Sequence, residues 1–254
     1  MELHNADCME VFKTISDESV DCVVTDCPYH IVSGGCCGEF ERGCGGMFRR
    51  DEISDTDDVP TLLKTGKLFE NNDIKFNEWL PEIYRVLKEG THCYIMINPR
   101  NLKELWEEAE KVGFKFQQII VWDKGNATPN MYYMNAYENI LMLRKGKAKY
   151  INDRGTTNIL RVANVRSKFH PTEKSVDLMK ILIENSTNEG DVVLDPFMGS
   201  GSTGVACREL SRDFIGIEID QKYYDIAKER IEKRMASRNE IEGQTNIFDL
   251  LGGE

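Results

Sequence analysis

Short apolar runs alternate with stretches of helical periodicity along most of the chain. Residues 21–26 (DCVVTD), 92–98 (HCYIMIN), 117–123 (QQIIVWD), 138–144 (ENILMLR), 191–195 (DVVLD) and 213–219 (DFIGIEI) read as strands. Phe76, Trp79, Leu80, Ile83 and Leu87 recur at helical spacing, with Gly90 as the stop signal. Leu102, Leu105, Trp106, Ala109 and Val112 repeat that spacing up to Gly113. Residues 173–187 and 202–210 give two more helices. The last runs over 221–238, with Tyr224, Ala227, Ile231 and Met235 on one face. Strands alternating with helices in this way predict an α/β fold: a doubly wound, mostly parallel sheet covered on both sides. One region breaks the rhythm. Residues 33–46 hold six glycines and three cysteines and are followed by a run of acids, so 30–75 reads as a polar insertion. Residues 239–254 read as a frayed tail, and there is no internal repeat.

Composition narrows the classes. A chain of 254 residues fits one large domain, here 1–254 with the insertion inside it. The 41% apolar content and 20 glycines exclude disorder throughout. No run approaches the ~18 apolar residues of a membrane span. The start, MELHNADCME, lacks the basic-then-apolar pattern of an export signal. A cytoplasmic protein with no membrane contact follows, its eight cysteines kept as thiols. Net charge is −11, which weighs against a general nucleic-acid binder. The charge is uneven, however. Between Arg144 and Lys174 nine Lys/Arg face only Asp153 and Glu173. That segment is either a solvated face or a basic strip for an anionic ligand.

Two motifs carry chemistry. In VVLDPFMGSGST (192–203) a strand ends at Asp195, a turn with Gly199 and Gly201 follows, and a helix begins near Ser202. Backbone approaches a ligand closely only where side chains are absent, and a helix start offers free N–H groups. The next strand ends in Glu218, placed to accept hydrogen bonds from ribose hydroxyls as in other nucleotide-binding βαβ units. In TDCPYH (25–30) a carboxylate, Asp26, then Cys27, Pro28 and Tyr29 follow a buried strand. An acceptor beside a stacking ring suits a planar ring bearing an amino group; a strand-ending turn with a packed tyrosine is the plainer alternative.

Together the pair resembles the S-adenosylmethionine-dependent amino-methyltransferases of DNA. Their hallmarks are Asp/Asn/Ser-Pro-Pro-Tyr/Phe at the catalytic strand and Asp-Pro-Phe-x-Gly-x-Gly at the cofactor strand. With the catalytic motif first, the order is similar to that of the β group, found in phages and bacteria. NADCMEVFKTISDESVDCVVTD is similar to the family's lead-in to the catalytic motif, and HPTEKSVDLMKILI (170–183) to its His-Pro-Thr-Gln-Lys-Pro helix. The resemblance implies a Rossmann-like methyltransferase fold with a small DNA-recognition elaboration, S-adenosylmethionine as cofactor and DNA as partner. Homodimers occur in the group. Asp26 and the carbonyl of Cys27 would accept from the target amine, Tyr29 would stack on the flipped base, and Pro28 would set the turn. Asp7 would meet the cofactor adenine, Lys174 its carboxylate, Asp195 its amino group, and Glu218 its ribose. Phe197 would pack against it beside Gly199 and Gly201. The aspartate favours adenine N6 as target, with cytosine N4, RNA, or an inactive nucleic-acid binder as alternatives. Target choice would lie in 144–170 and in the insertion. The loop 126–133, with Tyr132 and Tyr133 after Trp122, Asp123 and Lys124, either touches DNA or caps the core.

Two departures stand out. Cys27 replaces the first proline of the catalytic motif, and Ser175 replaces a proline at a helix start. A cysteine still supplies the backbone carbonyl, so activity is expected to survive. Cys27 also raises a covalent reading, as in enzymes that methylate cytosine carbon; there, however, the proline precedes the cysteine. Cys36, Cys37 and Cys44 with Cys27 or His30 lack the paired spacing of structural zinc sites, so no metal is expected. A dinucleotide dehydrogenase would leave Asp26 to Tyr29 unexplained.

Overall fold

The computed structural model describes residues 1–28, 74–128, 133–147, 149–163 and 173–233. The elements run β1 (Glu2–Asn5), α1 (Cys8–Phe12), β2 (Val20–Asp26), α2 (Phe76–Val86), β3 (Leu87–Ile97), α3 (Leu102–Val112), β4 (Lys115–Thr128), β5 (Asn135–Arg144), β6 (Ile159–Arg161), α4 (Val176–Ser186), β7 (Val192–Asp195), α5 (Ser202–Glu209) and β8 (Asp213–Glu218). A further helix, α6, occupies 221–233.

The strands form one sheet in the order β1-β8-β7-β2-β3-β5-β4-β6. All neighbours pair parallel except β5, which runs antiparallel to both β3 and β4. The expected mostly parallel α/β sheet is therefore present. Alternation along each strand sends side chains to opposite faces. Val23, Cys93, Ile95, Leu141 and Leu194 pack on one face with α1, α2 and α3. Cys22, Val24, Tyr94, Met96, Ile140 and Val193 pack on the other with α4, α5 and α6. Both faces are covered, which is why the strands read as nearly continuous apolar runs.

The boundaries differ from the periodicity in instructive ways. The apolar spacing of α2 carries on to Leu87, but the helix ends at Val86 and Leu87 opens β3 in an extended conformation. Gly90 therefore lies inside a strand and does not stop the helix. The strand read at 92–98 starts five residues earlier for the same reason. β4 and β5 outrun the stretches read at 117–123 and 138–144, because they pair with each other as a long ribbon. Three elements had too few residues to show a period: β1, α1 and the three-residue β6. The insertion read at 30–75, apart from its last two residues, lies outside the described residues, as do the tail, residues 129–132 of the 126–133 loop, and residues 148 and 164–170 of the basic segment.

Topology fixes where a ligand can sit. From β2 the chain crosses to β3 on one side; from β7 it crosses to β8 on the other. β2 and β7 are neighbours, so the crossovers diverge between them. In open α/β sheets that divergence opens a crevice beyond the carboxyl ends of the strands. Asp26, Asp195 and Glu218 are the last residues of β2, β7 and β8.

Candidate active site

The glycine turn after β7 is built on Asp195. Its side chain is buried in a sheet interior, where an unpaired carboxylate is costly. Thr25 Oγ1 donates to Oδ1 from the adjacent strand at 2.7 Å. Thr203 Oγ1 donates to Oδ2 from the first turn of α5 at 2.7 Å, and the Phe197 amide donates to Oδ1 at 3.1 Å. The carboxylate thus stitches β2, the turn and α5 together. Burial still pushes its pKa up, to about 6, against the pull of those three donors. A carboxylate offers about four acceptor positions. Three are used here, and one on Oδ2 is left for the amino group implied by the sequence resemblance.

Glu218 does comparable work one strand further out. Its Oε2 accepts from the Gly199 amide at 2.9 Å and its Oε1 from the Asp220 amide at 2.8 Å. Burial raises this carboxyl too, and the two amides oppose the rise. Gly199 has φ +52, a left-handed conformation that glycine adopts without strain. Gly201 shares the left-handed conformation, with φ +81, and adds a close approach: a Cβ there would sit 2.8 Å from Ala227 Cβ on α6. Phe197 packs edge-on against Trp79 of α2, centroids 5.4 Å apart, and keeps part of its surface exposed. Among the described residues, two buried polar atoms in this neighbourhood lack a partner: Ser202 Oγ at the start of α5 and Trp79 Nε1 behind Phe197. Ser202 Oγ, in the first turn of α5, is the one that a polar ligand seated at the turn would meet. Asp7 is exposed at the end of β1 and caps α1, accepting from the Met9 amide at 2.8 Å.

The other half of the site is built from charge. Asp26 shares its face of β2 with Cys22 and Val24, the face under α4. Lys174, two residues before α4, reaches Asp26 Oδ2 at 2.6 Å. Lys174 also lies 3.6 Å from Glu138 Oε2 of β5, and Glu138 Oε1 accepts from Lys124 of β4 at 2.5 Å. Burial raises the Asp26 carboxyl; Lys174 opposes the rise and Glu138 adds to it. Burial would raise Glu138 as well, but Lys174 and Lys124 together outweigh it and hold it below the usual range. The structure therefore places Lys174 on the catalytic-motif carboxylate. The resemblance had implied a place at the cofactor's carboxylate.

Cys27 is 2% exposed, and its thiol donates to the Met96 carbonyl at 3.7 Å. Burial raises its pKa well above the ordinary value. A thiol turned into the core and held protonated is not a thiolate nucleophile. Cys36, Cys37 and Cys44 lie outside the described residues. Its backbone remains at the end of β2 beside Pro28. Tyr29 also lies outside the described residues.

A family model described as DNA methylase matches residues 20–229, from the start of β2 into α6. The chain belongs to the N6/N4 family of DNA methylases. The Type II methyltransferase M2.DpnII of Streptococcus pneumoniae is 30% identical over 252 residues, covering 91% of this methylase and 90% of that relative. The crystal structure of an M1.HpyAVI–SAM complex superimposes with a TM-score of 0.65 at 28% identity, over 90% of this chain and 98% of that one. The PvuII DNA methyltransferase, described as cytosine-N4-specific, shares the fold with a TM-score of 0.65 at 16% identity, over 90% of this chain and 85% of that one. The methylase keeps the β-group order, with the Asp26 motif before the glycine turn.

The sequence reading missed Thr25, Thr203, Glu138 and the clasp around Arg230. That guanidinium lies 2.7 Å from Glu173 Oε1 and donates to the Ser200 carbonyl and hydroxyl, joining α6, the turn and the residue before Lys174. Thr25 had a signal: a hydroxyl inside a strand buried on both faces needs an acceptor. Of the basic segment, Lys145 is buried against the Leu87 carbonyl, Glu18 and the Tyr84 ring, and Lys174 turns inward. Arg161, at the end of β6, is 81% exposed beside Asp123. Among the described residues no helix is long and apolar enough to cross a membrane.

Proposed function

We propose that the protein transfers a methyl group from S-adenosylmethionine to the N6 amino group of adenine in DNA, through a single domain whose 144–170 segment helps choose the target. The observation that carries this reading is the juxtaposition at the β2–β7 crevice. A half-open carboxylate, Asp26, and the Cys27 backbone stand beside a glycine turn whose carboxylates, Asp195 and Glu218, end the two neighbouring parallel strands. The turn fits the cofactor. Glu218 retains acceptor positions for ribose hydroxyls, Asp195 one for the amino group, Phe197 an exposed ring surface, and Asp7 a carboxylate at the same sheet edge. The cofactor supplies an activated methyl on a sulfonium, and the chain supplies placement.

An exocyclic amine on a purine is a poor nucleophile because its lone pair is delocalised into the ring. Acceptance of its two N–H groups by Asp26 and by the Cys27 carbonyl favours a more pyramidal nitrogen with its lone pair turned outward. Direct in-line transfer then needs orientation above all. The target base must leave the duplex stack to reach the crevice, and Tyr29 is the ring to hold it. The aspartate at the head of the motif supports adenine over cytosine. Methylome sequencing of a host expressing the gene tests the reading: N6-methyladenine at a short recurrent site is the expected result. N4-methylcytosine would move the target to cytosine, and an unmodified genome would count against methyl transfer to DNA.

A further inference from the structure

The charged cluster beyond Asp26 is larger than the transfer itself requires. Four ionisable groups from four parts of the chain converge: Asp26, Lys174, Glu138 and Lys124. Their chain of contacts runs 2.6, 3.6 and 2.5 Å from one end to the other. Sheet geometry explains how they meet. Ile140 on β5 pairs with Met96, which pairs with Asp26, so Glu138 lies two residues along the Asp26 face of the sheet. The strand between them, β3, ends at Ile97, the partner of Asn139, and leaves the gap that the Lys174 ammonium crosses. Glu138 pairs with Trp122, and Lys124 stands two residues on, on the same face and within diagonal reach.

The Lys174 side chain is only 10% exposed, Lys124 21%, and Glu138 30%. Removing charges from water costs free energy, and partly buried ion pairs are weak stabilisers of a fold. The arrangement does impose orientation. Lys174 takes Oδ2 of Asp26, and among the described residues Oδ1 accepts no hydrogen bond. The Asp26 side chain is 26% exposed, so the carboxylate is not sealed off from the crevice.

We propose that Lys174 and Glu138 are positioning residues of the methyl transfer: Lys174 holds the Asp26 carboxylate by one oxygen and leaves the other for the target amine, while Glu138, braced by Lys124, holds Lys174. The inference rests on the methyl-transfer reading above. It departs from the role that family resemblance implies for Lys174, at the cofactor's carboxylate, and it gives Glu138 a role in the reaction without contact with either reactant.

The test is a double-mutant cycle on the full-length protein, with cofactor affinity and single-turnover methyl transfer at saturating S-adenosylmethionine measured separately. Misplacing a reacting group by about 1 Å can cost on the order of 100-fold. Lys174→Met is expected to lower the single-turnover rate about 100-fold, and Glu138→Gln about 10-fold, each with cofactor affinity within about threefold of the parent. The double variant should be no slower than Lys174→Met alone, because Glu138 acts through Lys174. Lys174→Arg, which keeps the cation, should recover part of the rate. Should Glu138→Gln fail to fold, Lys124→Gln loosens the same carboxylate from its far side and should also add nothing to Lys174→Met. Three results would overturn the proposal: multiplicative losses in the cycle, a parental rate in Glu138→Gln, or a Lys174→Met variant that loses cofactor affinity but keeps its rate at saturation. The last would return Lys174 to the cofactor. A parent protein that transfers no methyl group to DNA defeats the underlying reading instead, and it shows before any variant is made.

Discussion

Asp195 and Asp26 end neighbouring parallel strands, yet the chain treats them in opposite ways. Asp195 is 3% exposed and accepts from two hydroxyls and an amide, all neutral and all from its own protein. Asp26 is 26% exposed and is held by one ammonium on one oxygen. A carboxylate with three of its four acceptor positions taken by internal donors is chiefly a structural knot that shapes a loop. A carboxylate held at one oxygen and open at the other can still take a ligand. The same residue type at equivalent ends of adjacent strands is thus divided between framing the glycine turn and, in the proposed reaction, meeting the target base. The difference comes from what the flanking sequence supplies: threonines around one, and lysine and glutamate around the other.

The largest stability effect should follow from removing the knot. Asp195→Ala strips Thr25, Thr203 and the Phe197 amide of their acceptor in a buried site, where each unmet donor costs about 1–3 kcal/mol. Urea unfolding should show a loss of at least ~3 kcal/mol; a loss within error of zero would erase the contrast with Asp26. The same group gives a pH signature. Its folded pKa, about 6, lies above the unfolded value near 3.8, so the native state binds more protons between those limits. Its contribution to stability is therefore present at low pH and declines as pH rises from about 4 to about 6. Asp195→Asn, which cannot titrate, should flatten that stretch of the curve.

A middle-sized effect belongs to Glu218. Glu218→Ala frees the Gly199 and Asp220 amides and removes the acceptor proposed for the ribose. Calorimetry should find S-adenosylmethionine binding weaker by about 1–3 kcal/mol; an unchanged dissociation constant would remove the ribose assignment. The smallest effect should come from Cys27, where the chain leaves the family pattern. Its thiol faces the core and its carbonyl is the proposed functional group, so Cys27→Ala should keep turnover within about twofold of the parent and lose about 1 kcal/mol of stability to the vacated volume. A folded, cofactor-binding but inactive Cys27→Ala would restore the covalent reading.

The parts of the fold that were legible in the sequence are those that repeat. Trp79, Leu80 and Ile83 on α2, and the double-sided apolar runs of β2, β3 and β7, carry a period that survives in the structure because burial enforces it. Both motifs stood out because a strand end, a glycine turn and an acid at fixed spacing are local. What escaped notice was either too short to have a period, such as β1 and β6, or assembled from distant segments. The contact of Lys174 with Asp26 spans 148 positions, and Glu138 joins them from a third strand. No spacing rule connects such residues; only the register of the sheet does. The basic segment shows the same dependence on three-dimensional placement. Its composition is one block, but Lys145 and Lys174 turn inward while Arg161 faces out, since local backbone direction decides which charges reach the surface.

The central claim, that Asp26 serves the target amine while the glycine turn serves the cofactor, is tested most directly by one paired measurement on Asp26→Ala. Calorimetry with S-adenosylmethionine and single-turnover methyl transfer to DNA are run on the same preparation. The account predicts a cofactor affinity close to that of the parent and no detectable transfer. A folded Asp26→Ala that binds no cofactor, or one that still methylates DNA at the parental rate, would contradict it.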